Sequence, residues 1–175
     1  MKITGRVWRF GSEIDTDELF SARYLMGGDE TNQKKYEEFI KESGLSDVAE
    51  RENVPRNFIS EVKDGDVIVA GKNFGIGSSR QQAAETLKFK GVKAVVADSI
   101  HRIFFRNFWN LGCPAIDIPG ISDAFETDQR IEIDLEKSIV KNITTGKTFH
   151  FELKVPSWFQ DMLKAGGLVE YCKKE

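Results

Sequence analysis

The chain has 175 residues, of which 40% are hydrophobic and 30% are charged, a balance typical of one well-packed globular domain. Its formal net charge is −3 and its basic residues form no long stripe, which argues against nucleic-acid binding. Its two cysteines, Cys113 and Cys172, are too few for a disulfide framework or a metal site of their own, so we expect free thiols rather than one disulfide. No segment has the length of an export signal or a membrane span, and we expect a cytoplasmic protein without membrane contact.

The N-terminal third predicts a strand, an acidic loop and a helical region. Apolar residues within positions 3–10 indicate a first strand, and an acidic loop follows at positions 13–18. Positions 30–62 are charged and have apolar side chains at helical spacing, but Pro55 makes one unbroken helix improbable. We therefore expect two or three short helices there, packed over another part of the fold.

Three apolar runs alternate with two amphipathic segments in the middle of the chain. The predicted strands are residues 66–70, 92–97 and 114–118, and the predicted helices are residues 80–90 and 101–111. A strand–helix–strand–helix–strand order predicts a parallel sheet with helices packed against it.

From residue 130 the pattern changes to apolar residues that alternate with charged ones. Ile131 and Ile133 begin this alternation, which continues to residue 153 and predicts an antiparallel meander with one solvated face. We expect a final helix that starts near Pro156 and ends at the Gly166-Gly167 pair. The fold class predicted for the whole chain is a single α/β domain, a mixed sheet flanked by helices.

The glycine-rich turn at positions 71–80 has the features of an anion site. Its glycines allow the backbone to approach a ligand without Cβ clashes. The helix that follows presents unpaired N–H groups and the positive end of its dipole, and Arg80 adds a bidentate donor for a carboxylate or phosphate. Ser78 or Ser79 stands where the N-cap is expected. The turn matches none of the Walker A loop, the dinucleotide-binding loop or the nucleophile elbow, and a purely structural turn capped by Ser79 is the alternative.

Four blocks along the chain give it a resemblance to a known family. Residues 65–80 resemble the core motif of the aconitase C-terminal swivel domain, and are more similar still to the separate small subunits of isopropylmalate isomerase and homoaconitase. The other blocks agree in order; they are Asp15-Thr16-Asp17 with Tyr24-Leu25, residues 102–107 ending at Gly112, and residues 165–169. The resemblance implies one swivelling β/β/α domain over residues 1–175, with a helical insertion at residues 29–60.

Members of this family move a hydroxyl group between adjacent carbons of a di- or tricarboxylic acid by dehydration and rehydration. The resemblance implies the small subunit of a hydro-lyase that converts 2-isopropylmalate to 3-isopropylmalate in leucine biosynthesis. In such enzymes a [4Fe–4S] cluster on a large subunit binds the substrate, so we expect no cofactor or metal on this chain and a large iron–sulfur partner in a heterodimer or heterotetramer. Hydro-lyases of the dimethylmalate, methylmalate or homoaconitate type are alternatives, and a non-catalytic anion-binding module is another.

The same resemblance implies a role for each polar residue of the motif. Ser78 is the general base that removes the proton next to a carboxylate, while Arg80 and the backbone around Gly77 hold the carboxylate and the developing charge. Ser79 is a helix cap or an oxyanion contact. Asp17 matches an aspartate that orients catalytic groups across the subunit interface, with a turn or capping carboxylate as the alternative.

The segment that begins at Tyr24 predicts the shape of the substrate. Relatives that act on tricarboxylic acids commonly have an arginine two positions later, whereas this chain has Met26, which offers a flexible apolar contact and no charge. Because an unpaired carboxylate in a closed pocket is costly, we expect Tyr24 and Met26 to contact a small branched dicarboxylic acid with an apolar branch. The alternative is that Met26 belongs to the core and another residue reads the substrate.

Overall fold

The computed structural model of the chain describes residues 1–24, 32–45, 53–153, 155–156 and 158–174. Within these residues, one mixed sheet of seven strands has the order β4-β3-β2-β1-β5-β6-β7. The strands are β1 (Lys2–Arg9), β2 (Val67–Ala70), β3 (Ala94–Ala97), β4 (Ala115–Asp117), β5 (Arg130–Asp134), β6 (Ile139–Asn142) and β7 (Thr148–His150). The helices are α1 (Thr16–Leu19), α2 (Gln33–Ser43), α3 (Phe58–Glu61), α4 (Gln81–Phe89), α5 (Arg102–Asn110), α6 (Trp158–Ala165) and α7 (Leu168–Cys172), with short 3₁₀ helices at Ala22–Tyr24 and Ile121–Ala124.

One half of the sheet is parallel, as the alternation of strands and helices predicts. β1 pairs with β2, β2 with β3 and β3 with β4, all in parallel register, and every residue of β2 and β3 is buried. Continuous burial explains why these strands are uninterrupted apolar runs rather than alternating ones. Because the four strands point the same way, the loops that leave β1, β2 and β3 meet at one edge of the sheet.

The other half is the predicted antiparallel meander. β5 pairs with β1, and β6 and β7 continue the sheet outward in antiparallel register. Ile131 and Ile133 are buried while Arg130 is exposed, so the alternation in the sequence separates a core face from a solvated one. The prediction of a single α/β domain with a mixed sheet is confirmed.

Two short helices in the N-terminal region cover other elements, as expected from their apolar spacing. α2 packs against α4, where the Tyr36 hydroxyl donates a hydrogen bond of 2.8 Å to Glu85 Oε2. α3 places Phe58 edge-on against Trp8 and Phe10, at ring-centroid distances of 5.2 and 4.9 Å. α2 lies within the proposed insertion at residues 29–60, of which 29–31 and 46–52 are outside the described residues.

The prediction that the fold ends with one helix is wrong. α6 begins and ends close to its predicted limits, but α7 follows, with Gly167 at its N-cap. A Cβ on Gly112 would lie 2.6 Å from the backbone carbon of Gly166. Glycine at position 112 therefore permits a close approach between the α6–α7 turn and the end of α5, and the Gly166-Gly167 pair ends α6 but not the helical structure of the chain.

A buried carboxylate connects β1 with the start of β2. Asp66 Oδ2 accepts hydrogen bonds from Trp8 Nε1 at 2.8 Å, from Arg6 Nη2 at 3.0 Å and from the Lys63 amide at 3.0 Å. The hydrogen bond to Asp66 raises the pKa of Arg6, whose guanidinium lies 4.4 Å from the Trp8 ring centroid. This cluster holds the register between the two strands whose loops form the site described below.

Both cysteines are free thiols, as expected. Burial raises the pKa of the Cys113 thiol to about 11, whereas Cys172 is exposed at the end of α7. Among the helices of the described residues, none is both long and apolar enough to cross a membrane.

Candidate active site

Three loops meet at the carboxyl ends of the parallel strands. The loop after β1 and the loop after β2 are joined by backbone hydrogen bonds, from Gly71 to Gly11 at 3.0 Å and from Glu13 to Lys72 at 2.7 Å. The loop after β3 joins them where the Phe74 amide donates to the Ser99 carbonyl at 3.0 Å. In sheets of this kind, ligands bind outside the carboxyl ends of parallel strands.

Two glycines of the β2–α4 loop are required by its geometry. Gly75 has φ +74°, and a Cβ there would lie 2.4 Å from the Cβ and Cγ of Phe104. Gly77 has φ +103°, and a Cβ there would lie 2.6 Å from Oδ1 of Asp15. The loop thus reaches α5 on one side and the α1 loop on the other because it lacks these side chains.

Ser78 is fixed through its backbone by a residue of the first loop. The Ser78 amide donates a hydrogen bond of 2.8 Å to Oγ1 of Thr16, and the Thr16 amide donates one of 2.8 Å to the carbonyl of Ile76. Thr16 is 1% exposed, while Ser78 is half-buried. Thr16 is part of the Asp15-Thr16-Asp17 block of the sequence, but no periodicity or spacing marks it as a contact of Ser78.

Arg80 and Asp17 form an ion pair across the two loops. Arg80 Nη1 donates to Asp17 Oδ1 and also to the Phe20 carbonyl, the latter at 3.2 Å. The Arg80 side chain is 14% exposed, whereas that of Asp17 is 52% exposed. The capping alternative considered for Asp17 fits Asp15 instead, since Asp15 Oδ1 accepts from the Asp17 amide at 2.7 Å and caps α1.

The prediction that Ser78 or Ser79 caps α4 is wrong. The N-cap is Arg80, which has extended backbone angles and makes no side-chain cap hydrogen bond. Neither serine is the N-cap because both are bound to other elements through their backbone. Ser78 is bound to the α1 loop, and the Ser79 carbonyl accepts a hydrogen bond of 3.3 Å from Asn107 Nδ2 on α5.

Of the two residues predicted to contact the substrate branch, only one is described. Tyr24 is half-buried in the 3₁₀ helix Ala22–Tyr24, with its ring edge-on to Phe20 at 6.1 Å. The Phe20 carbonyl accepts a hydrogen bond from Arg80, so Phe20 contacts both Tyr24 and Arg80 and links Tyr24 to the site. Met26 lies outside the described residues.

The assembled loops bring one guanidinium and several backbone amides together, which can bind a carboxylate, and the carboxylates of Asp15 and Asp17 lie beside them. The amides of Gly75 and Ile76 donate to Ile14, and that of Ser78 donates to Thr16. Within the described part of the chain, the amides of Gly77 and Ser79 make no hydrogen bond, which leaves them available to an anion beside the Arg80 guanidinium. A cavity of about 530 Å³ lies at the same edge of the sheet, lined in part by Gly71 and Lys72, but Ser78 and Arg80 do not line it.

The described residues do not fit an iron–sulfur cluster of their own. Among them there is no group of three or more histidine, cysteine, aspartate or glutamate side chains that could hold a metal ion. Cluster ligation needs several thiolates, and this chain has one buried thiol with a raised pKa and one exposed thiol.

Comparisons with known proteins identify relatives along nearly the whole chain. The sequence pattern that defines the aconitase C-terminal domain matches residues 19–120. The 3-isopropylmalate dehydratase small subunit of Aquifex aeolicus is 45% identical over 175 residues, which cover 100% of this chain and 96% of that protein. The isopropylmalate/citramalate isomerase small subunit of Methanocaldococcus jannaschii is 40% identical over 173 residues, covering 99% and 95% respectively.

A solved structure shares the fold. The crystal structure of 3-isopropylmalate dehydratase from Methanocaldococcus jannaschii superposes with a TM-score of 0.81 at 37% identity, covering 99% of this chain and 95% of that one. The similarity therefore extends over nearly the whole chain.

Proposed function

This chain belongs to the family of aconitase C-terminal domains, and we propose that it is the small subunit of a 3-isopropylmalate dehydratase. In this proposal it is a hydro-lyase component of leucine biosynthesis that becomes active with a large subunit. The observation that carries the proposal is the arrangement of Ser78 beside the Asp17–Arg80 ion pair, in a chain whose relatives of that name match it from end to end.

Ser78 is proposed as the base of the dehydration. Its oxygen accepts the proton from the carbon next to a substrate carboxylate, and the C–H electron pair becomes the new C=C bond. The hydroxyl group leaves the adjacent carbon with the electron pair of the C–O bond and takes up a proton to become water, and loss of the proton from Ser78 to solvent balances the step. The products are an unsaturated dicarboxylic acid and water, and addition of water in the opposite sense gives the isomer. Serine is a weak base in water, so the surrounding donors must stabilise its alkoxide once solvent is excluded.

Arg80 supplies the main positive charge for this task. It is largely buried, and a guanidinium binds a carboxylate with two parallel hydrogen bonds. In the free chain, Asp17 and the Phe20 carbonyl occupy one of its terminal nitrogens. We propose that Asp17 orients the guanidinium, the substrate carboxylate binds to its remaining donors, and the free amides of Gly77 and Ser79 complete the anion site.

The proposed partner is a large subunit that carries a [4Fe–4S] cluster, in a heterodimer or heterotetramer. That cluster would bind the substrate hydroxyl and a carboxylate, which is chemistry that the described residues of this chain do not supply. Two further observations support a shared site: Ser78 and Arg80 do not line the adjacent cavity, and the relatives are named as small subunits. We also propose a cytoplasmic location, because an iron–sulfur partner and free thiols suit a reducing compartment.

For the substrate, we propose a branched dicarboxylic acid with an apolar substituent. Met26 supports this choice, since it offers no charge to an additional carboxylate. A second candidate is methylmalate (citramalate), because the Methanocaldococcus jannaschii relative is an isopropylmalate/citramalate isomerase small subunit by name. Both substrates have an apolar branch where a tricarboxylic acid has a charged one.

Reconstitution with the large subunit tests the proposal. The two chains are co-expressed, loaded with iron and sulfide without oxygen, and assayed for conversion of 2-isopropylmalate and of methylmalate. We expect a stable complex that is active, with neither subunit active alone. Absence of both a complex and any dehydration would contradict the proposal and leave a non-catalytic anion-binding module as the alternative.

The substrate assignment has its own test. Met26→Arg should shift the ratio of kcat/KM toward a substrate with an additional carboxylate by about 10- to 100-fold, the value of one charge-assisted hydrogen bond of about 1.5–3 kcal/mol. Met26→Leu, which keeps an apolar side chain, should leave the ratio unchanged. An unchanged ratio in the arginine variant would show that another residue determines the substrate specificity.

A further inference from the structure

We propose that Thr16 is a positioning residue for Ser78. Its hydroxyl accepts a hydrogen bond from the Ser78 amide and so fixes the position and orientation of the proposed base. The acidic loop after β1 thereby positions a residue of the loop after β2. This inference rests on the proposed function, in which Ser78 is the base, and it assigns the hydroxyl a role distinct from that of its neighbour Asp17.

Thr16 makes hydrogen bonds with the residues before and after Gly77 in the glycine loop, and we call this pair of contacts the clasp. Its amide donates to the Ile76 carbonyl at 2.8 Å, and its Oγ1 accepts from the Ser78 amide at 2.8 Å. The same hydroxyl lies 3.5 Å from Oδ1 of Asp15, the carboxylate that caps α1. One buried residue thus holds the chain on both sides of Gly77.

The clasp is needed because neither side of Ser78 has regular structure. Gly77 has a φ of +103°, and α4 begins only at Gln81. Between these points, the Ser78 amide has the Thr16 hydroxyl as its acceptor, and a half-buried amide that loses its acceptor destabilises the segment. Without the hydroxyl, the segment must shift to find water, and the Ser78 side chain moves with it.

The hydroxyl also determines which amides remain for the substrate. By accepting from Ser78, Thr16 removes that amide from the anion site and leaves those of Gly77 and Ser79, which make no hydrogen bond within the described residues. A freed Ser78 amide would offer a third donor. Loss of the hydroxyl therefore changes the alignment of the base and the substrate, in addition to loop stability.

The test compares Thr16→Val, which has the same shape without the hydroxyl, with Thr16→Ser, which retains the hydroxyl, in the reconstituted complex. A displacement of the order of 1 Å at a reacting group lowers rate by about 10²-fold, so we expect kcat of Thr16→Val to fall by about 10- to 100-fold with KM within about threefold. Thr16→Ser should restore kcat to within about threefold of the parent. If the valine variant does not fold, Thr16→Ala replaces it in the same comparison.

Thr86→Val is the matched control. Thr86 is also fully buried, and its hydroxyl donates to the Gln82 carbonyl within α4 at 2.9 Å, with no contact to the glycine loop. It should keep the parent kcat. Equal kcat in Thr16→Val and the parent, or equal losses in Thr16→Val and Thr86→Val, would overturn the inference.

Amide hydrogen exchange separates this inference from the proposed function. In the full chain, the Ser78 amide should exchange faster in Thr16→Val than in the parent or in Thr86→Val. Slow exchange that is unaffected by the valine change would overturn the clasp itself. A parent complex that forms and lacks all dehydratase activity would instead overturn the proposed function, whatever the exchange shows.

Discussion

Replacing Gly75 with alanine tests how the glycine loop is held in place. The residue has φ +74°, and the Cβ of an alanine would lie 2.4 Å from the Cβ and Cγ of Phe104. Gly146 provides a matched control, because it has φ +79° in the β6–β7 turn and a Cβ there would have nothing within 4 Å. Both substitutions therefore place an alanine in a left-handed backbone conformation, but only the one at position 75 also brings its Cβ into steric overlap with Phe104.

The expected difference follows from these distances. A left-handed backbone conformation costs an alanine about 1–2 kcal/mol, and this cost applies to both variants. Carbon atoms normally pack at about 3.5–4.0 Å, so relief at position 75 requires a shift of more than about 1 Å. Phe104 cannot move freely, since its ring stacks on Phe108 at 5.4 Å and meets the Phe74 ring at 5.1 Å. Overpacking of this kind costs about 1–3 kcal/mol, which gives about 2–5 kcal/mol for Gly75→Ala.

Equilibrium unfolding in urea measures both losses, with circular dichroism as the signal. Gly75→Ala should be less stable than Gly146→Ala by about 1–3 kcal/mol and should also lower kcat in the reconstituted complex, because Ser78 lies three residues away. Equal stability losses in the two variants would refute the claim that the contact with Phe104 requires glycine at position 75.

Three further predictions concern other parts of the fold. Asp66→Ala should lower the free energy of unfolding by about 2–4 kcal/mol, because it leaves the Trp8 indole and the Lys63 amide without their acceptor and removes one acceptor of Arg6. Asp64→Ala, which breaks only an exposed ion pair, should cost less than about 1 kcal/mol. Similar losses in the two variants would contradict the role of the buried cluster. In the native chain only Cys172 should react rapidly with a thiol reagent at pH 8, and Cys113 only after unfolding, since burial raises its pKa to about 11; rapid reaction of two thiols would contradict this. Burial raises the pKa of Asp134, but hydrogen bonds from the amides of two residues after it outweigh that effect and hold the pKa below its usual value, so its contribution to stability is present above the unfolded pKa and is lost as pH falls through the folded one. The stability difference between Asp134→Ala and the parent should therefore shrink on acidification below about pH 4, and a difference that grew would contradict the sign.

The strands and crossover helices could be predicted because the burial of each element determines the spacing of its apolar residues in the sequence. β2 and β3 are buried on both faces and therefore appear as continuous apolar runs, while β5 alternates because one face is solvated. The glycine loop was recognisable as a candidate anion site because glycine, arginine and a helix start occur together. These signals are local, and a single sequence contains them.

The contacts between loops could not be predicted in this way. Thr16 and Ser78 are 62 positions apart, and the hydrogen bond between them follows from the parallel pairing of β1 with β2. The N-cap prediction failed at Ser79 for the same reason, because contacts with α5 and the α1 loop extend the chain past both serines. One local signal was present: an aspartate before the short helix α1 is a typical cap, which predicts that Asp15 is the capping residue and leaves Asp17 free for Arg80.

The most direct test of the account is the rate of dehydration in a reconstituted complex that contains Ser78→Ala. If Ser78 is the base, kcat should fall by about 10²- to 10⁴-fold while the complex forms normally and KM changes little. Ser60→Ala, an exposed serine on α3, is the control and should retain the parent rate. A Ser78→Ala complex with the parent kcat would contradict the central claim that this chain supplies the base.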